Sequence, residues 1–334
     1  MDVTPYKEPS SLGRTLGALA AGVVYGLFLR VGAGQKIAGL QIVSVAFLVV
    51  APFCVGAFAV IWAAGGHRIS VGRQFGVATV AMLLFLLAMF VCLLEGLICI
   101  VLVAPVFLVA AIIGALAAGF LHNRFKAGRA TMPVFVLLPF LLGPLEAGMP
   151  PPGAPLTVVS HLHVDASAEQ VFDQLGTVEA IREEELGFAF MHTIGLPRPL
   201  SSSMNGQGVG SVRKSSWQKG VSFNEVITLW DRPRAMHYRF DIPPGSIPRY
   251  ALDEHVEMGG KYFTVLDGGF DIVPAPGGGV DLTLSTRFQN KSHLKVYGDL
   301  WGRMVLADFH QSILGLMKSR AEHHAPALHV AAAH

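Results

Sequence analysis

The chain has 334 residues, of which 52% are hydrophobic and only 14% are charged. That balance is too apolar for an ordinary soluble protein. The net charge of +2, with no basic stripe carrying interleaved aromatics, argues against nucleic acid as a partner.

The apolar excess is uneven. Residues 1–150 carry nine Lys/Arg and four Asp/Glu, whereas residues 151–334 carry sixteen and nineteen. Length and asymmetry together suggest two domains, a membrane-like half and a soluble half. Cys54, Cys92 and Cys99 lie inside apolar runs with no CxxC spacing and no nearby histidines, so they read as small core residues.

The polar lead 1–13 lacks the charged start, single apolar stretch and cleavage site of a removable signal peptide. Four apolar stretches follow: Thr15 to Leu29, Ile37 to Ala64, Gly76 to Leu94 and Leu97 to Leu121. The last three exceed the roughly 18 residues that mark a transmembrane helix. Arg14 and Arg30 flank the first and can snorkel to the interfaces. Gly22 and Gly26 have the spacing that lets helices approach in lipid, a face open to a second copy of the chain, although Gly and Ala are also simply common in spans. Pro105 predicts a kink in the fourth. Glu95 between spans three and four is expected at a tight turn near the headgroups.

Pro133 to Gly148 is short and holds three prolines, so it either spans or is re-entrant. Lys7, Arg14, Arg68, Arg73, Arg124, Lys126 and Arg129 fall on one side, against Arg30 and Lys36 on the other. The richer side is cytoplasmic by the positive-inside rule. Five spans, the preferred count, then put the second domain outside the cytoplasm, and four would put it inside. The linker, residues 149–155, is Pro-rich and stiff.

In the soluble half, a strand over Leu156 to Val164 leads into a helix from Ala168 to Leu175. A second short helix is expected over Val178 to Glu185 and a strand over Gly187 to Ile194. His161 and His163 share a strand face, but no third metal ligand can be assigned, so they read as solvent-facing. A Gly/Pro/Ser-rich loop follows, then a hairpin over Gly208 to Arg232. Further strands are expected at Ala235 to Ile242, Lys261 to Val273 and Val280 to Phe288. A long helix runs from Lys295 to Glu322, with Trp301, Val305, Phe309, Ile313 and Leu316 as its packed stripe. The tail from His323 reads as disordered.

The hairpin carries the sharpest expectation. Alternation puts Phe223, Glu225, Ile227 and Leu229 on one face, a carboxylate among apolar neighbours. If Gln218-Lys219-Gly220 is a three-residue loop with Gly220 left-handed, Trp217 pairs with Val221, Ser215 faces Phe223 and Arg213 faces Glu225. The pair either touches a ligand or only holds the two strands in register. His310 is either a rim residue or a satisfied core histidine.

The order of elements, with VVSHLHVDASAEQVFDQL at the start and LADFHQSILGLMKSRAE at the end, resembles the helix-grip fold of the SRPBCC superfamily, which includes START lipid-transfer and polyketide cyclase/dehydrase-like domains. The middle, with GLPRPL, the hairpin and GGFDIVP, together with EGLICIVLVAP in the membrane half, is similar to a bacterial membrane-anchored subgroup. That subgroup has Glu-Pro-Ile after the turn; here it is Glu225-Val226-Ile227, so the Pro is absent and the Glu stands.

The resemblance implies an α-helical transmembrane bundle of four or five spans (1–148) followed by an α+β helix-grip domain (156–322), in a bacterial inner membrane. It also implies a cavity between curved sheet and C-terminal helix for a hydrophobic or amphipathic small molecule, such as a membrane lipid. Candidate ligand-binding residues are Arg213, Trp217, Phe223, Glu225, Ile227, Tyr250, His255 and Phe309, with Tyr250, Glu254 and His255 capping the mouth. No metal or cofactor is expected. Binding or transfer is the first reading. A cyclase/dehydratase-like enzyme using Glu225 or a histidine as base is the second, though an Arg-paired Glu is a poor base near neutral pH. A membrane sensor is the third.

Overall fold

A computed structural model describes residues 11–37, 42, 44–125, 131–147, 149, 153–252 and 256–323. The chain divides into two compact units, Met1–Pro151 and Pro152–His334. Lys126, Arg129, Glu254, His255 and the tail beyond His323 lie outside the described residues.

The first unit is helical. It contains α1 (Ser11–Gly34), α2 (Ala51–Ala64, entered through a π turn at Ala46–Val50), α3 (Val71–Val91), α4 (Leu97–Phe125) and α5 (Met132–Ala147). Among the described residues, four stretches are long and apolar enough to cross a membrane: Leu12–Gly34, Ala46–Ala64, Val71–Val91 and Leu97–Phe125. The second begins nine residues later than expected, because α1 continues to Gly34 and the chain turns at Gln35 and Lys36 before α2 can start. The fifth expected span is a 16-residue helix. At about 1.5 Å per residue it is shorter than the roughly 30 Å hydrocarbon core.

Packing explains several residues that sequence alone left ambiguous. A Cβ on Gly56 would fall 2.0 Å from the Ala111 carbonyl oxygen, and one on Gly114 2.0 Å from that of Phe53, so α2 and α4 meet backbone to backbone. The expected Gly22 and Gly26 face is taken up inside the chain: Gly22 lies against Ala59 and Ala81, and Gly26 against the Phe85 ring. Arg30 does not simply reach outward. It donates to Glu95 at 2.7 Å and to the Leu94 carbonyl at 2.8 Å, so the carboxylate at the turn between α3 and α4 is buried and paired.

Glu146 near the end of α5 accepts from the backbone N–H groups of Val45 and Ala46 at 2.6 and 2.9 Å, capping the helix start where donors lack intrahelical partners. Pro139 cannot donate to the Phe135 carbonyl four residues earlier, and the Tyr25 hydroxyl supplies that hydrogen bond from α1 at 2.6 Å. Tyr25→Phe is therefore expected to destabilise the helical unit by about 1 kcal/mol. Heat-induced aggregation of the detergent-solubilised chain should begin a few degrees lower, and an unchanged onset would contradict the assignment.

The second unit contains β1 (Leu156–Val164), α6 (Ala168–Asp173), α7 (Phe190–Thr193), β2 (Pro199–Met204), β3 (Val212–Trp217), β4 (Ser222–Asp231), β5 (Ala235–Asp241), β6 (Phe263–Pro274), β7 (Val280–Asn290) and α8 (Lys295–His323). The strands form one antiparallel sheet in the order β1-β7-β6-β5-β4-β3-β2. A Ser167–Gln170 capping box starts α6.

Two local expectations fail here. The stretch Val178 to Glu185 is extended except for a 3-10 turn at Glu183–Glu185, because Val178 hydrogen-bonds Ser202 on the sheet edge. Gly187 to Ile194 is a loop and the single turn α7, whose Met191 N–H is held by Asp308 at 2.9 Å. The stretch read as loop supplies β2, an edge strand with Pro199 at its first position.

The register of β3 and β4 is the expected one. Arg213 pairs with Glu225, Ser215 with Phe223, and the Trp217 N–H donates to Val221 O at 2.8 Å across a loop with Gly220 at φ 71°. A β-bulge between Ile227 and Leu229 then reverses the alternation, so Leu229 turns outward and Trp230 packs edge-on against Phe172.

Helix α8 lies on the sheet along Gly302, Leu306, His310, Leu314, Met317 and Ala321, a line one position on from the expected stripe. Gly302 permits this, since a Cβ there would sit 2.6 Å from the Phe288 ring. Of the expected stripe, Leu316 is buried in the core, while Trp301, Val305, Phe309 and Ile313 are half-buried along the flank.

Candidate functional site

The Arg213–Glu225 pair is fully enclosed. Arg213 Nε donates to Glu225 Oε2, its Nη1 donates to the Leu175 carbonyl just past α6, and Ser215 Oγ donates to Glu225 Oε2 at 3.3 Å. The guanidinium also lies over the rings of Tyr238 at 5.1 Å and Phe270 at 5.7 Å. Burial opposes the arginine charge, and the adjacent Glu225 carboxylate more than offsets it. Burial and the same carboxylate push the Tyr238 phenol up, so it stays neutral.

From this pair an aromatic series runs to α8. Tyr238 packs on Phe240 at 5.4 Å, Phe240 on Phe223 at 5.6 Å, Phe223 on Trp217 at 5.7 Å, and Trp217 stacks on Phe309 at 4.9 Å with planes 19° apart. The structure therefore joins five of the candidate residues: Arg213, Trp217, Phe223, Glu225 and Phe309. Ile227 shares their face but is absorbed into the main core. Tyr250 is 78% exposed and stands beside the hairpin tip at Gly220, not in the series. His310 is a satisfied core histidine, completely buried between Ser160 Oγ at 3.2 Å and Thr286 Oγ1 at 2.9 Å. His161 and His163 are exposed, and His163 contacts Asp281 and Asp165. Among the described residues no group of three or more His, Cys, Asp or Glu is placed to hold a metal.

Three residues outside the expected set lie on the elements that surround the Trp217–Phe309 stack. In this unit, His192 Nε2, Ser246 Oγ and Trp301 Nε1 are buried with no hydrogen-bond partner among the described residues. His192 is on α7, whose next-door Met191 N–H is held by Asp308, the neighbour of Phe309. The Ser246 carbonyl accepts from the N–H of Ser222, the neighbour of Phe223, at 2.9 Å. Trp301 lies on the same flank of α8, two turns before Phe309. The hairpin tip is tied to the loop after α7 by Gln218 N to Arg198 O at 2.8 Å and Lys219 Nζ to Gly195 O at 2.7 Å.

The chemistry of the three atoms differs. Burial pushes the His192 imidazole down, so it is neutral near pH 7. Its Nδ1 faces the Leu196 carbonyl at 3.2 Å and must carry the proton, which leaves Nε2 as an acceptor. Trp301 Nε1 is a donor, and Ser246 Oγ is both. The sequence held little signal for these roles, since Trp301 read as core and the other two lay in stretches read as strand and loop.

One long helix laid across a strongly coiled antiparallel sheet, with the flank of that helix left half-buried over the far strands, decides the architecture. The second unit has a helix-grip fold. No protein-family model matches the chain, and no curated protein does. Among solved structures, it is similar to norcoclaurine synthase from Thalictrum flavum in complex with dopamine and hydroxybenzaldehyde (14% identity, 52% of this chain and 90% of that one, TM-score 0.34). It is also similar to the di-domain ARO/CYC protein BexL from the BE-7585A biosynthetic pathway (14%, 63% and 61%, 0.33). A third is the major latex-like protein 151 of Panax ginseng (11%, 52% and 99%, 0.33). The helix-grip description stands on the strand order and on α8.

Proposed function

We propose that the helix-grip unit binds a hydrophobic or amphipathic small molecule between α8 and the sheet, and that the chain holds this unit at a bacterial inner membrane. The observation that carries the reading is the aromatic stack of Trp217 on Phe309, with three buried polar atoms on the surrounding elements that have no hydrogen-bond partner among the described residues. A buried polar atom left unpaired costs about 1–3 kcal/mol, and natural proteins tolerate few of them. A mostly apolar wall with a few such groups is the usual make-up of a small-molecule site. The ligand is then largely apolar and carries hydroxyl or carbonyl oxygens to meet Trp301, Ser246 and His192. A membrane lipid or a lipid-like metabolite has that chemistry, and helices α1 to α4 would place the unit where such molecules partition. With α1 to α4 as the spans the unit faces the cytoplasm, and crossing by α5 as well would put it outside.

Acid–base chemistry finds its first candidates committed elsewhere. Glu225 is bound to Arg213 and Ser215, and both ring nitrogens of His310 face hydroxyls.

Native mass spectrometry of the full chain released gently from membranes should show a bound apolar adduct. Trp301→Phe removes one donor without removing the wall. It should lower adduct occupancy about tenfold, the worth of roughly 1.4 kcal/mol, while leaving thermal stability unchanged or slightly raised. Consistently adduct-free protein, even after incubation with extracted membrane lipids, would sink the reading.

A further inference from the structure

The first turns of α8 carry an apolar stripe that the fold leaves uncovered. Val296 is 84% exposed, Leu300 52% and Met304 48%, at successive four-residue steps. One turn further, Asp308 holds the Met191 N–H of α7, and the preceding residues Phe188 (86% exposed) and Phe190 (40%) extend the same stripe. Scattered exposed apolar residues are ordinary, but a continuous run on one helix face and its neighbouring loop is the mark of an interaction surface.

The edge of the stripe says what covers it. Residues 291–304 carry Lys291, Lys295 and Arg303 against Asp299 alone, and Asp299 is paired with Lys295. Tyr297 and Trp301, in edge-to-face contact at 6.3 Å, stand beside it. An apolar face bounded by cations and by aromatic residues with polar ends matches the headgroup region of a bilayer with anionic lipid. The chain supplies the bilayer itself through four helices long enough to cross one. Eight residues, 148–155, separate α5 from β1, and even fully extended they reach only about 28 Å.

We propose that α8 docks on the membrane surface through Val296, Leu300 and Met304, with Phe188 and Phe190 entering the interface beside it. This rests on the reading that α1 to α4 span the membrane. Docking sets the half-buried flank of α8 at the lipid surface, so a ligand passes between bilayer and site without crossing water.

The test uses the full chain in phospholipid nanodiscs containing phosphatidylglycerol, with exposed Cys92 replaced by alanine. Spin labels are placed singly at Leu300→Cys, Phe188→Cys, Val159→Cys and Leu83→Cys. Accessibility to oxygen, which concentrates in lipid, is compared with accessibility to a water-soluble nickel chelate. The oxygen-to-nickel ratio at positions 300 and 188 should exceed that at 159, an exposed position on β1, by several-fold. It should fall toward the position-159 value in discs of phosphatidylcholine alone at high salt. Position 83, exposed on α3, reports spanning independently. If 83 reads lipid while 300 and 188 read water, docking is overturned and spanning stands. If 83 also reads water, the membrane reading fails with it. Spin–spin broadening at 300 with low accessibility to both reagents would assign the stripe to a second copy of the chain and overturn docking.

Discussion

Glu225→Gln is expected to destabilise the helix-grip unit by about 3–5 kcal/mol, the cost of leaving one buried charge without its partner. The substituted amide is nearly the same size, so packing is little changed and the loss is electrostatic. Arg213 would keep its positive charge among Tyr238, Phe270 and the Leu175 carbonyl, with no carboxylate to balance it. Because Arg213 Nη1 also holds the chain just past α6, the damage reaches from the sheet into the helix that closes one end of the core. Trp217, Trp230 and Trp301 are three of the chain's four tryptophans and all belong to this unit, so intrinsic fluorescence follows its unfolding in detergent-solubilised full chain. For a unit of this size, a loss of that magnitude lowers the melting temperature by roughly 10 °C. Combining the change with Arg213→Met removes the stranded charge, and the double variant should be more stable than the sum of the single losses allows, by about 1–3 kcal/mol. Strictly additive losses would show that the residues do not interact. Adduct occupancy in the double variant then distinguishes the two roles of the pair: retained binding assigns it to strand register alone, and lost binding with a restored melting temperature assigns it to the ligand.

The pairing was legible in the sequence because two independent signals agreed. A carboxylate on an otherwise apolar face needs a countercharge, and a glycine at the turn fixed which residue lay opposite. Leu229 was misplaced because parity counting assumes an uninterrupted ladder, and the bulge after Ile227 leaves no mark in residue type. The line of contact on α8 was read one residue early for a related reason. Gly302 and His310 do not look like core by type, yet one allows close approach and the other is satisfied by two hydroxyls from β1 and β7. β2 was hidden by composition, since Pro199 and three serines suit an edge strand as well as a loop. Long-range capping is invisible in principle: Glu146 lies 101 residues from Val45, and Arg30 lies 65 from Glu95. The same limit applies to the site. The aromatic residues of the hairpin could be named from alternation, but His192, Ser246 and Trp301 become notable only when no hydrogen-bond partner for them is found among the described residues.

His310 gives the stability of this unit a pH dependence whose sign is fixed by burial. Its imidazole is pushed down to about 4, and burial is the cause. Ser160 and Thr286 can each accept from a doubly protonated ring, so protonation would not break its hydrogen bonds. Among the described residues, none supplies the site with a countercharge. The unfolded imidazole takes up its proton near its ordinary value of about 6.5, and the folded one only near 4. Between those values the unfolded chain binds more protons, so stability falls as the pH is lowered. The contribution is fully present above about pH 6.5, about 2 kcal/mol of it is gone by pH 5, and about 3 kcal/mol by pH 4. Carboxylates interfere little above pH 5. Glu185, held at about 2 by Arg320, gives up its share only below its ordinary range. His163 titrates in the opposite sense, raised by Asp281 and Asp165, but it is exposed and its effect is screened by solvent. His192 is also pushed down by burial, so it adds to the acid sensitivity, and substitution is needed to separate the two. In His310→Gln the amide keeps a donor and an acceptor for the two hydroxyls and cannot titrate. The drop in melting temperature between pH 7.5 and pH 5 should shrink by about 5 °C relative to the parent chain. An unchanged drop would mean that the folded ring takes up its proton as readily as the unfolded one, and that burial between α8, β1 and β7 does not hold it neutral.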